Sequence, residues 1–313
     1  MINKNSPVFR ALCSMSCPIE AERDYIECKI LDALFADTTL ADKLIFSGGA
    51  TLSKSYNMRY RISHDLDLVC TEFTEVPSDR SQRQLNSFKK RFKEFVFDQL
   101  RPGINYAINQ DLHFMITTDR EWRALHSPGQ GVSYPALHVL YKSVLDNSVG
   151  HICIEIMPRK YKPSAVSFHA VVPYALNAPT REIPTVSCVQ TFWDKVFALH
   201  CLATGVSMRT NDFYSRHYFD VAQMADRVNI SDTFCMFQDT VSYQTRYTTK
   251  DITPVSNPSE ITVIPNSQIL HGLEVDYYAN NAQFVDHRQP KWDDVIQKIT
   301  QLNSRLTNFN EGR

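Results

Sequence analysis

Glycine is scarce in this chain, with nine in 313 residues, and two of the nine stand side by side as Gly48-Gly49. Charge of either sign is also not in excess: the formal net charge is −1. The whole molecule is therefore no general attractor of nucleic acid, and any such contact must come from a local patch. None of the eight cysteines forms a Cys-x-x-Cys pair, and several sit in apolar runs such as HICIEI and ALHCLA. Buried free thiols explain them better than zinc ligation or disulfides. The N-terminal MINKNSPVFRALCSM lacks a continuous apolar core, so no secretion signal is expected. No apolar run approaches the ~20 residues of a membrane span. These absences point to a chain of a reducing cytoplasm with no membrane partner.

What is present fits a globular protein. Apolar residues make up 43% and charged residues 21%. Ile26, Ile30, Leu31 and Leu34 recur at helical spacing in 19–36. LIFSGG reads as a strand ending in a tight turn, ATLSKSYN as a helix start, and HDLDLVC as a strand. A long helix is expected over 79–101, with Leu85, Phe88, Phe92, Phe95 and Val96 as its apolar stripe. Its other residues are rich in lysine and arginine, including Arg80, Arg83 and Arg101. Residues 132–157 read as two strands around DNSVG. The proline-containing 163–187 reads as a connector, 188–227 as two helices, 238–268 as loop, and WDDVIQKITQLNSRL as a closing helix. This order predicts an α/β fold (α+β): a mixed sheet with flanking helices over 1–175, then a mainly helical domain over 176–313.

The stretch 44–70, LIFSGGATLSKSYNMRYRISHDLDLVC, carries the chemistry. Strand side chains alternate, so Asp65 and Asp67 share one face, roughly 7 Å apart, while Leu66 and Leu68 face a core. Two carboxylates side by side repel unless a cation answers them. Mg²⁺ suits hard oxygen ligands and keeps positions open for phosphates. Gly48-Gly49 lets backbone approach a ligand closely, and the helix that follows offers free N–H groups to phosphate oxygens. In HICIEIM, Glu155 lies mid-strand among isoleucines, where an unpaired charge is costly and a neighbouring metal would justify it. The bland readings are a simple turn at Gly48-Gly49, a chance Asp-x-Asp, and a salt-bridged edge glutamate.

SGGATLSKSY and RISHDLDLV together resemble the AbiEii/AbiGii toxin family of nucleotidyltransferases, within the polymerase-β-like superfamily. AERDYIECKILDAL, HICIEIMPR, FWDKVFALH, SRHYFDVAQM, LEVDYYANNAQFV and the closing helix resemble further segments of that family. Ala50 departs from a threonine common after the glycine pair, and His64 from an acidic residue. The resemblance implies a nucleotidyltransferase-type mixed sheet and a set of roles. Asp65 and Asp67 would bind Mg²⁺, or Mn²⁺ in its place, with Glu155 as third ligand or as base. Ser47, Gly48, Gly49 and Ser53 would line the triphosphate of an NTP, and Ser63 would bond a phosphate or a metal water. Lys54 ends the Leu-Ser-Lys motif and is either a nucleotide contact or an exposed lysine. Lys195 would neutralise the leaving pyrophosphate. Asp220 would fix Lys195 or meet the acceptor; taken alone, it could be a helix pair with Arg216.

The activity so implied is transfer of a nucleoside monophosphate from an NTP to an acceptor hydroxyl of RNA, above all tRNA, or of a protein. It would serve a toxin of a toxin–antitoxin or phage-defence system, with a cognate antitoxin. The alternatives are modification of a sugar or antibiotic hydroxyl, or a nucleotide-binding domain without turnover. The basic helix could contact a phosphate backbone or simply be a solvated face.

Overall fold

The computed structural model describes residues 2–58, 61–63, 65–73, 81–110, 114–118, 121, 135–176, 178–206, 214–247, 255–280, 284 and 289–309. Helices α1 (Pro7–Cys13) and α2 (Pro18–Ala36) each begin on a proline at the first turn, where its missing N–H is not needed. After the short α3 (Thr38–Ala41) come β1 (Leu44–Ser47), α4 (Gly49–Lys54) and β2 (Asp65–Cys70). Helix α5 (Gln82–Phe95) opens on a capping box between Ser81 and Gln84. It buries Leu85, Phe88 and Phe92 and presents Arg83, Lys90, Arg91 and Lys93 to solvent. It does not stop near residue 101 as expected. A π-helical turn over Val96–Leu100 joins it to α6 (Arg101–Asn109).

The strands β3 (Met115–Thr118), β4 (Ala136–Lys142) and β5 (Val149–Pro158) follow. The proline-containing segment is no linker: β6 (Val166–Ala170) and β7 (Glu182–Val186) form an antiparallel hairpin within it. Its prolines sit beside the strands and at Pro184, where β6 pairs on one side. The boundary expected at 175/176 falls between these two strands. The described strands make one mixed sheet in the order β3-β4-β5-β2-β1-β7-β6.

The later helices are α7 (Cys188–Ala203), α8 (Ser215–Met224), α9 (Phe234–Tyr247), α10 (Ser267–Ala279) and α11 (Trp292–Thr307). Helix α9 occupies part of the expected 238–268 loop; its Phe237 is buried in the packing that a polar sequence window conceals. Buried apolar side chains fall into two clusters. One joins α2, α5 and α6 to the sheet; the other joins α7, α8, α10 and α11 to Leu52 and Met58. The α4 segment thus packs on both sides, with Ala50 in the sheet cluster and Leu52 in the helical one. Among the described residues no helix is long and apolar enough to cross a membrane.

Lys54 corrects one reading. It is neither exposed nor in the cleft: it is 1% exposed and ion-paired with Asp24 and with Glu27 (2.8 Å) of α2. Burial disfavours its charge, but Asp24 and Glu27 outweigh this and hold its pKa above the ordinary lysine value. Asp24 also accepts the Tyr174 N–H at 2.6 Å. This buried triad ties α4 to the helix behind the sheet. Lys54→Met would leave buried Asp24 without its cation and Glu27 with Arg23 alone at 3.4 Å, at a cost of about 3–5 kcal/mol. Chemical denaturation at pH 7.5 should show that loss, and the loss should shrink towards pH 5 as the two carboxylates take up protons.

Candidate active site

The sheet register assembles one polar face. Ser47 stands opposite Asp67 in the β1–β2 pair, and Asp67 opposite Glu155 in the parallel β2–β5 pair. Strand spacing puts adjacent backbones about 4.8 Å apart, so Glu155 is the direct neighbour of Asp67. One row away, Asp65 stands opposite Cys153, which stands opposite His138. Leu66 and Leu68 point into the core and are fully buried. Alternation along β2 therefore forces Asp65 and Asp67 out onto this face.

Gly48 is required here. Its φ of 74° is unfavourable for other residues, and a Cβ on it would collide with the Asp67 carboxylate. Gly49 heads α4, and its N–H donates to Asp67. A Cβ on Gly49 would lie 3.0 Å from Arg61 Nη2, 3.5 Å from Lys195 Nζ and 3.6 Å from Asp220 Oδ2. The glycine pair is thus wedged between the β2 carboxylates and a charge cluster from the helical half.

Asp220 of α8 centres that cluster. Arg61 binds it with both arms, Nε to Oδ1 at 2.8 Å and Nη2 to Oδ2 at 2.5 Å. Lys195 of α7 meets the same Oδ2 at 3.0 Å. Burial opposes ionisation of Asp220, but Arg61 and Lys195 outweigh it and hold the carboxyl far below its usual range. Burial lowers the Lys195 pKa; Asp220 resists that, and Arg61 adds to it. Lys195 also donates to His217 Nδ1 at 3.1 Å. Burial and the nearby Lys195 keep that imidazole neutral, its pKa well below the ordinary value. Arg216 does not pair with Asp220 one turn away; its guanidinium reaches Asp65 Oδ2 at 3.3 Å.

The structure thus gathers Asp67, Lys195 and Asp220 around Gly48-Gly49, with Asp65 on the same face of β2 and Glu155 beside Asp67 in the sheet. The serines are arranged differently from one another. Ser47 is buried and its hydroxyl donates to the Asp67 carbonyl at 3.1 Å. Ser53 donates to the Ala50 carbonyl at 3.2 Å and borders a narrow cleft with Gly49 and Asp220. Ser63 is buried just ahead of β2. His64 lies outside the described residues, as does Arg80 of the basic segment. Sequence reasoning gave no role to Arg61 or His217, and offered Arg216 only as a helix partner of Asp220, a pairing the structure does not form. The two arginines stood inside quoted motifs, RISHD and SRHYFD, and an arginine that recurs beside each acidic motif was the available signal.

The profile of the nucleotidyl transferase AbiEii toxins of type IV toxin–antitoxin systems matches residues 29–302. The chain belongs to this AbiEii family. It is accordingly a nucleotidyltransferase of the toxin class. Two solved structures from Helicobacter pylori are similar over most of their length. One, described as a candidate nucleotidyltransferase, has a TM-score of 0.50 and 14% identity over 91% of this chain and 93% of its own. The other, JHP933, has a TM-score of 0.49 and 14% identity over 92% and 93%. At that identity the first likeness speaks for the fold of this AbiEii member and no further. No curated protein matches the sequence.

Burial, and then the Asp65 charge, raise the Asp67 pKa to about 6, against the opposing pull of Arg216, Lys195 and the Gly49 N–H. A carboxyl raised in the folded state favours folding at low pH, and that contribution is lost as pH rises through the folded value. Asp67→Asn should therefore raise the melting temperature at pH 8. The gain over wild type should fade as pH drops through 6 towards 4. Thermal melts of both proteins across that range check the sign.

Proposed function

We propose that this AbiEii protein moves a nucleoside monophosphate from a divalent-metal NTP to a hydroxyl of RNA, with the 3′ end of tRNA as acceptor. The acceptor oxygen forms a bond to the α-phosphorus, the bond from that phosphorus to the β-bridging oxygen breaks, and pyrophosphate leaves with the electron pair. The observation that carries the reading is the convergence of Asp65 and Asp67 on one side of Gly48-Gly49 and Lys195 on the other. A triphosphate lying along the glycines would have carboxylates at its α end and an ammonium at its leaving end.

The donor set suits a hard divalent cation. Two carboxylates of β2 share a face, Glu155 adjoins Asp67 by register, and burial together with the Asp65 charge already raises the pKa of Asp67. Among the described residues no three His, Cys, Asp or Glu side chains form a closed ligand set. Glu155 is therefore not carried as a third ligand beside Asp65 and Asp67; Mg²⁺ is typically held by one or two carboxylates plus substrate phosphates. Asp65 and Asp67 would hold it, and when bound it would supply charge stabilisation at the reacting phosphate. Glu155, beside Asp67 in the register, would accept the proton of the acceptor hydroxyl. Lys195 neutralises charge developing on pyrophosphate, and Asp220 with Arg61 holds Lys195 in position before substrate arrives. The basic outer face of α5, with Arg83, Lys90, Arg91 and Lys93, suits a phosphate backbone. The family implies a cognate antitoxin.

Purified protein should label tRNA when given MgCl₂ and α-³²P-NTPs. Lys195→Met and Asp65→Asn/Asp67→Asn should each cut the rate about a hundredfold or more, as a loss of several kcal/mol of transition-state stabilisation requires. Label entering protein or a small sugar in place of RNA would reassign the acceptor. Undiminished labelling by both variants would overturn the site.

A further inference from the structure

One stripe of α2, along the edge of the core, takes no part in the candidate site. Glu22, Tyr25, Lys29, Asp32 and Ala36 follow one another at helical intervals of three and four residues and line a cavity of about 470 Å³. That volume falls in the range of small-molecule sites. The cavity shares no described residue with the nucleotide site. Beyond α2, its walls include Phe114, Lys142 at the end of β4, Val144, and Arg181 ahead of β7.

The charges in this cavity are unequally matched. Glu22 is satisfied by the Ser143 hydroxyl at 2.6 Å and the Val144 N–H at 2.8 Å. Asp32 faces Arg181 at 3.7 Å. Among the described residues, Lys29 and Lys142 have no carboxylate at ion-pair distance. Lys29 leans over the Tyr25 ring, its Nζ 5.9 Å from the centroid. Across the cavity Phe114 offers a second ring, packed on Tyr141 at 6.1 Å between centroids. Three cations against two engaged carboxylates leave a net positive lining, with Lys142 and Arg181 at its exposed rim, and the two rings give it flat apolar walls.

We propose that this cavity binds a small organic monoanion: a planar aromatic body carrying one anionic group. The body lies against Tyr25 and Phe114, and the anionic group is met by Lys29 and Lys142. A neutral ring would gain the apolar contact alone, and a bare inorganic anion would gain the charges but leave the rings uncovered. The inference stands apart from the nucleotidyl-transfer reading. Helix α2 also carries Asp24 and Glu27 to Lys54, so the same helix that lines the cavity supports α4 behind Gly48-Gly49.

The test is a fluorescence titration of the full chain with 8-anilino-1-naphthalenesulfonate, and with its uncharged counterpart N-phenyl-1-naphthylamine. Lys29→Gln/Lys142→Gln should weaken sulfonate binding about tenfold or more, as loss of two nearby opposite charges requires, and leave the neutral probe unchanged. Ala33→Trp, which fills the cavity from α2, should abolish saturable binding of both. The two lysines lie outside the core, so the double variant should melt with the wild type, and a melt run alongside confirms a folded sample. Equal sulfonate affinity in the wild type and the lysine variant would overturn the proposal. So would saturable sulfonate binding that survives Ala33→Trp.

Discussion

The carboxylate of Asp220 is the point on which the site depends. It is buried, and two cations from different parts of the chain converge on it: Arg61 from the sheet half and Lys195 from α7. Such a group is unfavourable alone and strongly held when paired, so removing one partner costs more than the pair contributes. The consequence is geometric. With Asp220 fixed, α7 and α8 cannot shift relative to Arg61 without uncovering a buried charge, and Lys195 stays within reach of Gly49.

The opposite side of the glycines is built on the reverse principle. Asp67 is buried and Asp65 stands beside it with incomplete compensation, so burial first and the Asp65 charge second raise its pKa. Arg216 lends Asp65 a partial partner at 3.3 Å. A site with one over-answered carboxylate and one under-answered pair is polarised before any ligand arrives. On the proposed function, phosphate would lie beside Lys195 and a cation beside Asp65 and Asp67. Gly48 is the hinge between these regions, because any side chain there would occupy the space of the Asp67 carboxylate.

Local patterns in the sequence carried much of this. The two-residue period of HDLDLVC and HICIEIM put the three carboxylates on one face, and the β2–β5 register sets Asp67 beside Glu155 as that period allows. The paired helices after residue 188 followed from their apolar spacing. What was not legible is long-range. Nothing local distinguishes Lys54, whose two partners lie about one helix turn apart in α2, from a surface lysine. Arg61 and Asp220 are 159 residues apart, so their bond is invisible to spacing arguments. The β6–β7 hairpin was hidden because its prolines read as punctuation, and α9 because its polar outer face read as loop. The roles of the site residues came with the family motifs, which the profile over 29–302 supports at the level of activity class.

The central claim is that a triphosphate lies along Gly48-Gly49 between the β2 carboxylates and Lys195. The most direct measurement is a crystal structure of the full chain with MgCl₂ and a non-hydrolysable NTP analogue. The account predicts density for the β- and γ-phosphates against the Gly49 end of α4, within hydrogen-bond distance of Lys195 Nζ, and a cation between Asp65, Asp67 and the α-phosphate. A nucleotide bound elsewhere on the chain, with Lys195 still confined to Asp220 and His217, would contradict it.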